Sequence, residues 1–267
     1  MARFRTSVVF AALGALVSAV PAQALDRFEI QVYDDDVADP GQFGLEVHGN
    51  YTIVGHRTGD YPGAVPANQA ARLTFEPALG LTDWLELGAY LQFLVQPDAG
   101  ARYAGVKLRA KFVVPERLHL PVHLGLNVEI GRVPAEIEAN GWANEFRPIV
   151  AWTNGVWTAA VNPIVGYALT GPDAFKPEFE PCGKLSWNTQ HGFAVGVEYY
   201  AGLGLLGAGL SPLGQQEHLA FAVFDLAAPP DAPENHKAWE FNAAIGHGLT
   251  SGTAQEWVVK TIVGKPF

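Results

Sequence analysis

One pattern limits this chain more than any other. Apolar and polar residues alternate with a period of two, and they do so in twelve separate stretches. In GVKLRAKF, residues 105–112, Lys107, Arg109 and Lys111 fall on one side, and Val106, Leu108, Ala110 and Phe112 on the other. Successive side chains of a strand point to opposite faces. One face of this strand is therefore cationic and the other apolar. An antiparallel sheet with one wet face accounts for a single strand of this kind. The recurrence asks for more.

The alternation returns at 44–53, 71–79, 85–93, 103–113, 118–130, 144–152, 156–167, 179–187, 193–200, 217–224, 238–246 and 256–264. In LHLPVHLGLNVEI, Leu118, Leu120, Val122, Leu124, Leu126, Val128 and Ile130 share one face, with His119, His123, Asn127 and Glu129 on the other. No window has a helical period of comparable quality. The connections alternate as well. HRTGDYPGAVPANQ, QPDAGA, VPAEIEANG, LTGPDAFKP and AGLGLLGAGLSPLGQQ are long; LTD, PER, TNG and NTQHG are short. Asn154-Gly155 is a hairpin signal. The tenth connection, DLAAPPDAPENHK, breaks the order by its length.

An even strand count with sorted loops predicts an all-β fold, a closed antiparallel transmembrane β-barrel of about 12 strands. Its short turns are periplasmic and its longer loops lie outside. Only a closed barrel lets strands cross lipid with every backbone group satisfied. Strands of about ten residues suit a tilted crossing.

The ends of the chain fit that reading. MARFRTSVVFAALGALVSAVPAQA has basic Arg3 and Arg5, an apolar stretch and an Ala22-Gln23-Ala24 cleavage signature. Residues 1–24 are read as a cleaved secretory signal peptide, 25–42 as a periplasmic or plug-like arm, and 43–267 as one outer-membrane barrel. Phe267 closes an alternating last strand, as a C-terminal sorting signal does. The chain carries 17 Lys+Arg against 27 Asp+Glu, which excludes nucleic acid as a natural partner. Cys182 is the one cysteine, so neither an internal disulfide nor a cysteine zinc site is available.

Parity assigns the faces. The predicted lumen-lining residues are Glu46, His48, Arg72, Glu76, Glu86, Lys107, Arg109, Lys111, His123, Glu129, Glu145, Arg147, Lys184, Glu198, Glu240 and Lys260, with Glu180 and His218 on the same parity. Two readings of these charges stay open: ion pairs that knit the interior shut, or the lining of a narrow aqueous path. Trp152, Trp157 and Trp187 fall beside short turns, and Tyr167, Tyr199 and Trp257 beside long loops. Together they predict two lipid-facing girdles. Asp34, Asp35 and Asp36 lack the glycine and closing glutamate of a calcium loop, so no metal and no cofactor is expected. The loop AGLGLLGAGLSPLG, 201–214, is apolar for an outside loop; it either extends the ninth strand or packs over the mouth.

An outer-membrane lipid hydrolase is the enzymatic alternative. It needs a serine beside a histidine. Ser186, Ser211 and Ser251 are the serines after the leader, with His56 and His247 near Ser251 at the outer mouth, and there is no GxSxG.

FEIQVYDDDVADPGQFGLEVHGNY, GVKLRAKF, EFRPIVAW and WTAAVNPIV resemble proteobacterial outer-membrane proteins related to the "MetA-pathway of phenol degradation" group. The resemblance covers most of the mature chain. It implies a barrel and transport of small organic solutes. The barrel reading itself makes outer-membrane lipid and the barrel-insertion machinery the expected partners. The expected function is a passive channel or transporter for small solutes. The alternatives are a sealed structural barrel and the hydrolase.

Overall fold

The computed structural model describes residues 26–226 and 239–267, apart from 98 and 172. The leader 1–24 and most of the tenth connection lie outside the described residues. Twelve antiparallel strands close into a ring. The first six are Phe43–Gly55, Ala71–Thr82, Leu85–Gln96, Gly100–Val113, His123–Arg132 and Trp142–Thr153. The seventh comes in two pieces, Trp157–Asn162 and Val165–Ala168, and so does the eighth, Pro177–Phe179 and Cys182–Asn188. Phe193–Gly202, Glu217–Leu226, Glu240–Gly248 and Gln255–Pro266 complete the ring. The first strand pairs with the last from Gly44↔Pro266 to Gly55↔Gln255, so no edge is left open.

The interruptions have a local cause. Pro163 and Pro181 have no N–H to give to the ladder. Each sits where a strand splits, and the sixth strand pairs with both pieces of the seventh. Proline also corrects the expected fifth strand, 118–130, which begins only at His123. Glu116–Leu118 forms a 3-10 turn, His119 has φ 48°, and Pro121 cannot pair. The connection read as PER is therefore longer, while QPDAGA tightens to 97–99. Leu118 and Leu120 belong to that turn, outside the apolar strand face.

Burial is inverted relative to a water-soluble protein. Leu108 and Val197 are each 59% exposed on the outer wall, while Arg147 is 2% and Lys260 1% exposed inside. Exposed leucines and buried charges are what a soluble surface avoids. A hydrocarbon surround makes both sensible. In the fourth strand an extra residue, Ala104, stands between the pairs Phe93↔Tyr103 and Gln92↔Gly105. This bulge keeps both Tyr103 and Val106 on the outer wall.

Residues 26–42 form no strand of the sheet. Phe28, Ile30, Val32 and Tyr33 are buried, and the segment hydrogen-bonds to inward side chains of the wall. Arg27 lies at the long-loop end, on Asp60 and Glu217, and Ala38 at the short-turn end, on Glu86. The arm thus runs the height of the ring before Gly41 and Gln42 turn it into the first strand.

Candidate functional site

Wall side chains hold the arm largely by its backbone. Asn162 accepts from Tyr33 N at 2.7 Å and donates to Tyr33 O at 2.9 Å. Asn50 and Thr74 donate to Phe28 O at 3.0 and 3.1 Å, Lys260 to Ile30 O at 2.9 Å, and Arg147 to Gln31 O at 3.2 Å. Tyr33 donates its hydroxyl to Glu29 at 2.6 Å, meets the Tyr90 hydroxyl, and lies under the Arg147 guanidinium, 4.4 Å from the ring centre. The apolar side of the arm, Ile30 and Val32, belongs to one cluster with Leu219, Phe221, Val223 and Val258.

The three cations of GVKLRAKF all have partners. Lys107 pairs with Asp26 of the arm and, at 3.4 Å, with Glu129. Arg109 joins Glu76 and Glu86, each at 2.6 Å. Lys111 donates to Asp36 O at 2.5 Å. His48 Nε2 lies 2.9 Å from Glu76 and 3.4 Å from Glu46. The donor atoms of these three residues lie within 4.8 Å of one another, but Arg109 already neutralises Glu76, so the arrangement acts as an ion-pair network. Lys260 pairs with Glu198, which also accepts from Tyr200 at 2.7 Å. Lys184 joins Asp225 at 2.7 Å, Arg147 joins Glu145 at 2.7 Å, and His123 reaches Asp35 at 2.5 Å.

A cavity of about 150 Å³ opens at the long-loop end, floored by Asp26, Arg27 and Phe28 of the arm. Two long loops are joined beside it: Tyr61 donates to Ala135 O at 2.8 Å, and Val65 N to Glu136 O at 2.8 Å. Burial pushes the Glu138 carboxyl up and the Tyr61 hydroxyl up to about 12. Gln92 lines this cavity with both amide atoms lacking a hydrogen-bond partner among the described residues.

The structure puts the sixteen expected charged and histidine positions on the inner side of the ring, with Glu240 exposed at the short-turn rim. Two features of the lining differ from the sequence reading. His218 points outward and stacks on Tyr199, because Leu219, Phe221 and Val223 take the inner face and meet the arm. The lining also takes in the uncharged Asn50, Thr74, Tyr90, Gln92, Asn127 and Asn162, which stand outside the sixteen expected positions although their strands give them buried, inward places. Trp152, Trp157, Trp187, Tyr199 and Trp257 are exposed on the outer wall. Tyr167 is half-buried, stacked on Phe146, and its hydroxyl accepts from Asn144 at 3.2 Å. Phe267 N donates to Phe43 O at 2.7 Å and its ring meets that of Phe43. Ser251 donates to Gly214 O at 3.0 Å, and His247 packs on Trp257, so among the described residues these two form no nucleophile–base pair.

Known protein families and curated proteins give no match to this chain. Solved structures do. An outer membrane channel from Pseudomonas putida F1 aligns over 90% of this chain and 100% of its own, with a TM-score of 0.58 at 11% identity. The NanC porin aligns over 84% of this chain and 98% of its own, TM-score 0.54, 10% identity. The KdgM porin aligns over 84% and 99%, TM-score 0.52, 8% identity. The fold is the closed twelve-stranded antiparallel barrel of porin-like outer-membrane proteins.

Proposed function

We propose that this protein is an outer-membrane channel for small solutes whose lumen is controlled by the arm 26–42. The observation that carries this reading is the manner in which the interior is filled. The ring closes without the arm. The arm is a separate segment, tied to the wall by polar contacts and not by strand pairing. On the arm, Glu29 Oε2 and Gln31 Oε1, and on the wall beside it, Arg109 Nη1 and Asn127 Oδ1, are buried with no hydrogen-bond partner among the described residues. Orphaned polar atoms are costly in a static sealed interior, and much less so where water or a solute reaches them.

In this reading the long loops face outside, the short turns face the periplasm, and the apolar wall with its exposed aromatics meets lipid. The leader 1–24 exports the chain, and Phe267 serves the barrel-insertion machinery. The finer kinship with the "MetA-pathway of phenol degradation" group rests on the four stretches quoted above. Planar-bilayer recordings of the purified protein test the reading. Stepwise conductance supports a channel. A silent bilayer across voltages and solutes, with folded barrel present, supports the sealed alternative.

A further inference from the structure

We infer that the cavity at the long-loop end is a recognition site for a small zwitterion, one solute carrying both an ammonium and a carboxylate. The inference rests on the channel reading and names its solute class.

The cavity is bipolar across the ring. One wall is built by the second and third strands. Arg72 stands opposite Leu94 and Thr74 opposite Gln92, so Arg72 and Gln92 are neighbours on the inner face. Arg72 is 5% exposed, donates to Thr52 Oγ1 at 3.2 Å and lies over the Phe28 ring, 5.7 Å from its centre. Among the described residues no carboxylate lies within ion-pair distance of it. Gln92 is 1% exposed, lines the cavity, and has no partner for Nε2 or Oε1 among the described residues.

The other wall carries Glu178 and Glu180, on and beside the first piece of the eighth strand, and Glu138 from the loop after the fifth. Among the described residues none of these three carboxylates has an ion-pair partner. Every other acid on the cavity does: Asp26 and Glu129 meet Lys107, Glu145 meets Arg147, and Asp173 meets Lys176. Arg27 is taken by Asp60 and Glu217, and Lys107 by Asp26 and Glu129. One unneutralised guanidinium with an unbonded amide thus faces three unneutralised carboxylates across about 150 Å³. Buried charges are stable when paired. A zwitterion supplies both missing partners in one molecule: its carboxylate accepts from Arg72 and Gln92, and its ammonium donates to Glu138, Glu178 and Glu180.

The test is calorimetric titration of the purified full-length protein in detergent micelles. The probes are glycine, β-alanine, γ-aminobutyrate and ε-aminocaproate, against butylamine and butyrate. Saturable binding of at least one of the zwitterions is expected, with both single-ion probes weaker by roughly tenfold or more. Arg72→Gln and the double variant Glu178→Gln/Glu180→Gln should each weaken that binding by roughly tenfold or more. Absence of zwitterion binding, or equal binding of butylamine or butyrate, overturns the proposal. The unsubstituted protein alone decides this should a variant misfold. Conductance of the same preparation separates the two readings. Binding by a silent barrel removes the channel and keeps the site; a conducting barrel that binds none of the zwitterions removes the site alone.

Discussion

Asn162 on the seventh strand clasps Tyr33 of the arm by both backbone groups, at 2.7 and 2.9 Å, as a neighbouring strand would. One side-chain amide here stands in for a ladder. Pro163 follows at once and breaks the strand, so the clasp sits at an irregular point of the wall.

Asn162→Ala removes both bonds. Each is worth about 1 kcal/mol net, so the arm should loosen while the ring, which pairs without it, stays closed. The expected outcome is larger or more frequent conductance steps with unchanged heat-modifiable migration on a gel. Identical single-channel records for Asn162→Ala and the parent protein would show that the clasp does not hold the arm.

Gly80 is the second contact of this kind. A Cβ placed there would lie 2.1 Å from Ala38 O and 2.3 Å from Asp39 O. Gly80→Ala should therefore push the lower end of the arm from the wall at a cost of about 1–3 kcal/mol, the range of overpacking. Protease cleavage within residues 36–42 of the folded barrel should increase.

Arg109 sits between Glu76 and Glu86, 2.6 Å from each, and is 7% exposed. Arg109→Ala leaves two buried carboxylates with less compensation. Breaking a buried pair from one side costs about 3–5 kcal/mol. The midpoint of urea unfolding in detergent or lipid should fall accordingly, and Arg109→Lys should recover only part of the loss, since lysine cannot bridge both acids in one plane. A midpoint unmoved by Arg109→Ala would show that the network is not structural.

Leu108 and Lys107 are adjacent in sequence and on opposite sides of the wall. Leu108→Arg should destabilise the barrel by about 2–4 kcal/mol if the site is near mid-membrane. A cysteine at Leu108 should resist charged thiol reagents in liposomes. A reactive cysteine at that position would mean that this face meets water.

The period of two made much of the fold legible. It placed the charged face of GVKLRAKF inside and Leu108 and Phe112 outside, because polar and apolar residues alternate there without exception. It could not do so for EHLAFAVF, where Leu219, Phe221 and Val223 on one side are as apolar as Ala220, Ala222 and Phe224 on the other. The choice between those faces was made by the arm, whose Ile30 and Val32 need an apolar wall. The sequence marks an arm before the first strand but does not choose between a periplasmic tail and a plug. FEIQVY alternates like a strand, and only the three-dimensional ring shows that its partners are side chains. The breaks at Pro163 and Pro181 and the late start at His123 were written in the sequence as prolines, but the alternation continued through them. The cavity's unpaired charges depend on which distant residues meet across the ring, and period alone does not carry that.

The most direct measurement is single-channel conductance of the full-length protein beside a variant lacking residues 26–38, both reconstituted in the same planar bilayer. The ring pairs without these residues, so the shortened barrel should fold. Its conductance should be clearly larger than that of the full-length protein and less prone to closure. Equal conductance from two folded barrels, or none from either, would contradict an arm that controls passage through the lumen.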